Sequence, residues 1–129
     1  MTKIKSFEDL IVWRKARGLV NLLYDITATF PKEERFILVD QIRRAVLSVM
    51  ANIAEGFSRY HLAETLMFYR NARGSLTEVK SHLYICLDRR LINTKEVNDL
   101  FLKIDEVGKM LNGLISTSKS FRKLSSKLK

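Results

Sequence analysis

Only one proline and five glycines interrupt this chain of 129 residues. Folds built from many short strands need such turn residues at frequent intervals, so their scarcity favours long helices. Hydrophobic residues make up 47% of the chain and charged residues 29%, which is typical of a globular protein with a real core. The sequence therefore predicts a single all-α domain.

Apolar residues recur at alternating spacings of three and four, which is the pattern of one buried helix face. Ser6 and Asp9 resemble a capping box and predict a first helix from Phe7 to Pro31, and a second helix then ends at Gly56. The predicted core positions of these two helices are Val12, Ala16, Leu19, Leu23, Ile26, Phe30, Leu38, Ile42, Ala45 and Val49.

The same spacing predicts a third helix from about Leu62 and a fourth after the capping box of Asn93 and Glu96. Their predicted core positions are Leu62, Leu66, Tyr69, Ala72, Leu76, Val79, Leu83 and Cys86, then Val97, Phe101, Ile104, Val107, Leu111 and Leu114. We expect four helices of about 20 to 27 residues, each about 30 to 40 Å long. Short connections then predict an antiparallel up-down-up-down four-helix bundle.

Glycine inside a helix costs about 1 kcal/mol relative to alanine, so it usually has a packing reason. Gly18, Gly74, Gly108 and Gly113 all fall within the predicted helices, and Ala45 is a small residue on the second helix. We expect these five positions to be places where helix backbones approach closely.

The net charge of +9 is unevenly distributed, because residues 118–129 hold five basic residues and no acid. This predicts a bundle domain over 1–117 followed by a basic tail over 118–129. A basic chain favours polyanionic partners such as nucleic acid, whereas a solubilising tail is the alternative.

Polar residues border the core positions of the second and third helices. Asn52 continues the core register beyond Val49, and Glu55 lies beside it. Interhelical hydrogen bonds between such residues fix helix register, so we expect a structural network rather than a catalytic site. The members of this predicted network are Ser48, Asn52, Glu55, Ser75 and Glu78.

Basic residues are frequent on three of the helices and in the tail, and the arginine guanidinium favours phosphate. Solvated helix surface is the alternative explanation for any single one. The candidate nucleic-acid-binding residues are Arg14, Lys15, Arg17, Arg43, Arg44, Arg70, Arg73, Lys119, Arg122 and Lys123.

Residue types for catalysis are few, since the chain has one cysteine, Cys86, and two histidines. Glu78 and His82 are four apart, whereas carboxylate-bridged di-iron bundles repeat a Glu-x-x-His spacing of three. The sequence therefore predicts no enzyme activity, no metal and no cofactor. No apolar run is long enough to cross a bilayer, so we expect a cytoplasmic protein without a membrane partner.

Further apolar residues lie off the predicted core faces, where a monomer would leave part of them exposed. Large exposed apolar patches usually mark interfaces, so we expect a homo-oligomer. These residues are Ile11, Trp13, Leu22, Met67, Phe68 and Ile85.

Three segments together carry a family resemblance: "FEDLIVWRKA", "FPKEERFILVDQIRRAVLSVMANIAEGFSR" and "FYRNARGSLTEVKSHL". Over residues 7–115 the chain resembles the bacterial four-helix bundle proteins encoded in intervening sequences of 23S ribosomal RNA genes. The resemblance implies a homopentameric up-down bundle with a positively charged surface proposed to bind RNA or DNA. The chain is also similar in architecture to the accessory variability determinant of diversity-generating retroelements, a basic pentamer that binds nucleic acid.

Two functions follow as hypotheses. The first is a non-enzymatic, oligomeric protein that binds RNA or DNA through phosphate contacts. The alternative is a structural scaffold or protein-interaction module without nucleic-acid binding. The lack of an RNA-recognition motif, a surface aromatic platform and helix-turn-helix spacing in the sequence favours this alternative.

Overall fold

Four α-helices account for most of the protein. The structure, a computed structural model, describes residues 4–127, with side chains described for residues 4–121. The helices are α1 (Ile11–Thr27), α2 (Asp40–Phe57), α3 (Leu62–Asp88) and α4 (Thr94–Lys127). The predicted all-α fold class is confirmed. No helix in the described part is long and apolar enough to cross a membrane.

Contacts between α3 and α4 show that these two helices run antiparallel. Arg73 Nη1 donates to Asn112 Oδ1 at 2.9 Å, and two turns further along α3 Lys80 Nζ lies 3.3 Å from Asp105 Oδ1. Residue numbers thus rise along α3 as they fall along α4. The two pairs are seven residues apart on both helices, so the same register shows which other residues of α3 and α4 lie opposite each other.

The α2 helix contacts α1 near its own start and α3 near its own end. Near the start of α2, Arg43 Nη2 donates to the carbonyl oxygen of Tyr24 near the end of α1 at 3.2 Å. Near the end of α2, Gly56 packs on Tyr69, in the first third of α3. Both contacts join the later part of one helix to the earlier part of the next.

The helices differ in length more than the sequence predicted. They contain 17, 18, 27 and 34 residues in chain order, so α1 is about 26 Å long and α4 about 51 Å. The expectation of 20 to 27 residues each was wrong for α1, α2 and α4, and only α3 falls within that range. At the end where α1 begins, α3 and α4 continue beyond it and bury a small second core of Leu66, Tyr69 and Ile115.

The α4 helix also runs through Thr117 without a break. The predicted boundary between bundle and tail therefore lies inside a helix, and the division into two parts stays a prediction. Residues 118–121 have described side chains, whereas Arg122 and Lys123 lie outside the residues whose side chains are described.

The first helix begins later than predicted. Asp9 Oδ2 accepts hydrogen bonds from the backbone N–H groups of Lys5 at 2.9 Å and Ser6 at 3.3 Å, which lowers the pKa of Asp9. However, these bonds cap only a 3₁₀ turn over Phe7–Asp9, because Leu10 is extended. The predicted start at Phe7 was therefore wrong, and α1 begins at Ile11.

A π-helical turn over Arg35–Val39 precedes α2. It follows a short 3₁₀ turn over Lys32–Glu34. The wider turn buries Leu38 and Val39 but leaves Phe36 82% exposed. The acidic residues after Pro31 therefore begin a 3₁₀ turn, and the α-helix proper begins only at Asp40.

The glycine prediction was wrong for Gly18, Gly74 and Gly113, since a Cβ atom added at any of them would have no neighbour within 4 Å. Gly108 would make only an ordinary contact, 3.6 Å from Leu76 Cδ2. The crowded position is Gly56, where an added Cβ would lie 2.6 Å from Tyr69 Cε1.

Replacing Gly56 by alanine is expected to destabilise the protein by about 1–3 kcal/mol, because the buried Tyr69 ring has little room to withdraw. Gly74→Ala is the matched control in open space, and it should stabilise the protein by about 0.5–1 kcal/mol through helix propensity. Urea unfolding of both variants measures the difference. Equal stabilities for the two would contradict the close contact.

Candidate nucleic-acid interface

Three polar residues of the predicted network meet between α2 and α3. The hydroxyl oxygens of Ser48 and Ser75 lie 2.9 Å apart. Asn52 Nδ2 donates to Ser48 Oγ at 2.9 Å and to the Ser48 carbonyl oxygen at 2.8 Å. All three side chains are half-buried, but only the Ser48–Ser75 hydrogen bond joins α2 to α3, because Asn52 bonds within its own helix. The prediction that Asn52 continues the core register was wrong, since the neighbouring Ile53 is fully buried instead.

The other two predicted members lie outside this group. Glu55 is exposed and pairs with Arg59, whose Nη2 lies 2.9 Å from Glu55 Oε2. Glu78 is also exposed and lies 3.6 Å from His82 Nε2. Both glutamates face solvent on the outer side of the helices, where an ion pair contributes little to stability.

Arg43 and Arg44 are adjacent in sequence but have different environments. Arg43 is half-buried, and its Nε donates to Thr27 Oγ1 at 3.0 Å. Its guanidinium also lies 4.4 Å from the centre of the Tyr24 ring. Arg44 is exposed and pairs with Asp40 on its own helix. Arg43 therefore stabilises the end of α1 and is poorly placed to bind phosphate.

Arg43→Ala is expected to destabilise the protein by about 1–3 kcal/mol, since it removes two part-buried hydrogen bonds to the end of α1 and the packing on the Tyr24 ring. Arg44→Ala removes the same charge but only a surface pair, worth at most about 0.5 kcal/mol. Thermal and urea unfolding of the two variants provide the measurement. A larger loss for Arg44→Ala would refute this assignment.

The three predicted basic residues of α1 are exposed, and two of them meet acids. Arg14 lies 3.9 Å from Asp9, and Lys15 lies 3.2 Å from Glu106 on α4. The guanidinium of Arg17 lies 5.7 Å from the centre of the Trp13 ring. Much of the positive charge on this helix is therefore compensated locally.

The remaining predicted residues form what we call the α3/α4 basic face: Arg70, Arg73 and Lys119. All three are exposed. The antiparallel register that joins Arg73 to Asn112 places Lys119 beside the first turns of α3, close to Arg70. No acidic residue follows Glu106 in the sequence, so the α4 side of this face carries no negative charge.

The opposite end of the bundle has mixed charge. This is the end where α1 finishes and α2 begins, and acids there alternate with bases. The residues concerned are Asp25, Lys32, Glu33, Glu34, Arg35, Asp40 and Arg44. Basic residues at this end are therefore interspersed with acids, unlike those on the α4 side of the α3/α4 basic face.

Exposed aromatic rings occur at the same end, which sequence reasoning missed. Tyr60 is 98% exposed in the connection between α2 and α3, and Phe121 is 73% exposed on α4. Both line an open cleft of about 450 Å³. The position of Tyr60 between two predicted helices was the available signal, whereas Phe121 falls in the segment that the sequence assigned to a tail.

Titratable groups in the described residues give no sign of catalytic chemistry. Burial raises the pKa of the Cys86 thiol to about 11, so it stays protonated and unreactive near neutral pH. Burial also raises the pKa of Tyr69 to about 12. Within the described part of the chain, no three histidine, cysteine, aspartate or glutamate side chains are grouped so as to hold a metal ion.

Comparison with protein families gives a match to the 23S rRNA-intervening sequence protein model over residues 8–113. That range covers most of the chain. The protein belongs to this family. The matched range ends before Lys119 and Phe121. The family model of the 23S rRNA-intervening sequence protein therefore does not describe these two residues of the basic end.

A solved protein structure is also similar to this 23S rRNA-intervening sequence protein. It is a protein of unknown function from the S23 ribosomal protein family of Bacteroides thetaiotaomicron, with a TM-score of 0.76 and 20% sequence identity. The similarity covers 82% of this chain and 96% of that one, and at this identity it shows the fold alone. No curated protein matches the chain.

Proposed function

We propose that this protein is a non-enzymatic, oligomeric nucleic-acid-binding protein that acts in the cytoplasm. The observation that carries the proposal is the α3/α4 basic face. Exposed arginine and lysine side chains on a face whose α4 side carries no acid bind phosphate groups of RNA or DNA and release the counterions condensed on them.

Binding through this face depends on charge more than on base sequence. Arg70, Arg73 and Lys119 project from helices and reach phosphate oxygens, which carry no sequence information. We therefore expect affinity that falls steeply with salt and differs little between sequences. Structured RNA and duplex DNA both present the required phosphate array.

Oligomerisation supports the proposal because it multiplies the phosphate contacts. Ile11, Met67, Ile85 and Leu102 are between 47% and 69% exposed, which is unusual for large apolar side chains on a monomeric bundle. The family resemblance implies five subunits. Light scattering at micromolar concentration should give a mass several times that of the 15.0 kDa chain, and a monomer alone would contradict the assembly.

The double variant Arg70→Ala/Arg73→Ala is expected to weaken binding to labelled structured RNA and duplex DNA. Two fewer phosphate contacts should reduce the slope of log affinity against log salt by about 1–2. Arg35→Ala/Lys95→Ala is the matched control, because it removes the same charge from the opposite end. Circular dichroism verifies that both variants are folded.

Two results would contradict the proposal. The first is no binding by the wild type at either low or physiological salt. The second is an equal loss of affinity in the control variant, since net charge alone would then explain binding.

A scaffold function is the second candidate, and the exposed Met67 and Ile85 on the outer side of α3 favour it. A scaffold would retain its protein partners when a native lysate is treated with nuclease before capture. Loss of all captured material after nuclease treatment, together with direct binding to purified RNA, favours the nucleic-acid function.

A further inference from the structure

The open cleft at the basic end is formed because α1 is short. The α3 and α4 helices extend beyond the start of α1 and enclose the small core of Leu66, Tyr69 and Ile115. The α1 helix therefore does not cover this small core. The end of α2 and the α2–α3 connection border the cleft instead, through Gly56 and Tyr60.

Aromatic rings and hydroxyl groups line this cleft together. Tyr60 and Phe121 contribute rings that are almost fully exposed, whereas Thr65 and Thr117 contribute hydroxyl groups. Its volume of about 450 Å³ is in the range of small-molecule sites, about 300–1,000 Å³. Another cleft of about 480 Å³ lies near Ile4 and Met110, but no aromatic residue lines it.

The positively charged side chain of Arg59 lies at the border of the cleft. The guanidinium of Arg59 lies 4.8 Å from the centre of the Phe68 ring, and Glu55 accepts its hydrogen bond at 2.9 Å. These two contacts orient the arginine, although Glu55 compensates part of its charge.

We propose that this cleft binds one unstacked nucleobase of a single-stranded nucleic acid, while phosphates further along the strand lie on the α3/α4 basic face. Tyr60 and Phe121 stack on the base, and the threonine hydroxyl groups meet its polar edge. The inference rests on the proposed function and makes it more specific, because a paired base inside a duplex cannot enter the cleft.

Self-association is the other use that exposed rings could have. A cleft open on one side and lined by hydroxyl groups suits a flat polar ring better than it suits the closely packed apolar surface of a subunit interface. The floor of the cleft is also rigid, since the Gly56 contact holds the ring of Tyr69 in place.

The test uses a short single-stranded RNA that contains 2-aminopurine, whose fluorescence is quenched when it stacks on an aromatic ring, and a duplex of the same sequence. Tyr60→Ala and Phe121→Ala should each weaken single-strand binding about tenfold and abolish the quench, because one stacking contact is lost. Duplex affinity should stay unchanged.

Two control variants accompany these. Tyr60→Phe keeps the ring and should behave as the wild type. Phe36→Ala removes a ring that is 82% exposed at the opposite end of the bundle, and it should have no effect on either ligand.

Each of the other possible results would contradict the inference, and each would do so for a different reason. Wild-type binding of both ligands with no effect of Tyr60→Ala or Phe121→Ala refutes the cleft but leaves the proposed function intact. Equal losses for single strand and duplex refute base stacking. A change of mass in light scattering for either variant identifies the rings as an assembly contact, and no wild-type binding of either ligand refutes both proposals.

Discussion

The contact between Gly56 and Tyr69 determines how the basic end of the bundle is built. Only glycine allows the Tyr69 ring to lie against the α2 backbone, because an added Cβ would be 2.6 Å from Cε1. This contact sets the register of α2 on α3, and the hydrogen bond between Ser48 and Ser75 maintains it further along. Tyr69 in turn packs with Ile115 and so holds α4 in place. The cleft and the basic face both depend on that arrangement.

Unequal helix lengths give the two ends of the molecule different chemistry. At the end where α1 begins, α3 and α4 extend further and present Arg70, Arg73 and Lys119, and the rings of Tyr60 and Phe121 are left uncovered. At the other end, basic and acidic side chains are interspersed, and Arg43 is used to stabilise α1. The net charge of +9 therefore matters through its placement, since a polyanion interacts with the local potential.

Helical periodicity was enough to predict the class and most of the core, because burial of one face dominates the pattern of apolar residues. Leu76, Val79 and Leu83 are buried as predicted. Helix ends were less predictable, since the extended Leu10 and the π turn before Asp40 come from packing at the ends of the helices. The environments of the candidate nucleic-acid-binding residues were equally hard to predict. One of two adjacent arginines, Arg43, lies between helices, and no single-sequence pattern distinguishes it from Arg44.

We propose that nucleic acid binds at one end of the bundle. The most direct test is lysine acetylation footprinting by mass spectrometry of the assembled wild-type protein, with and without a single-stranded RNA. We expect RNA to protect Lys119, on the α3/α4 basic face, whereas Lys32 and Lys95 at the opposite end react as before. Protection of Lys32 and Lys95 with Lys119 unchanged, or equal protection of all three, would contradict it.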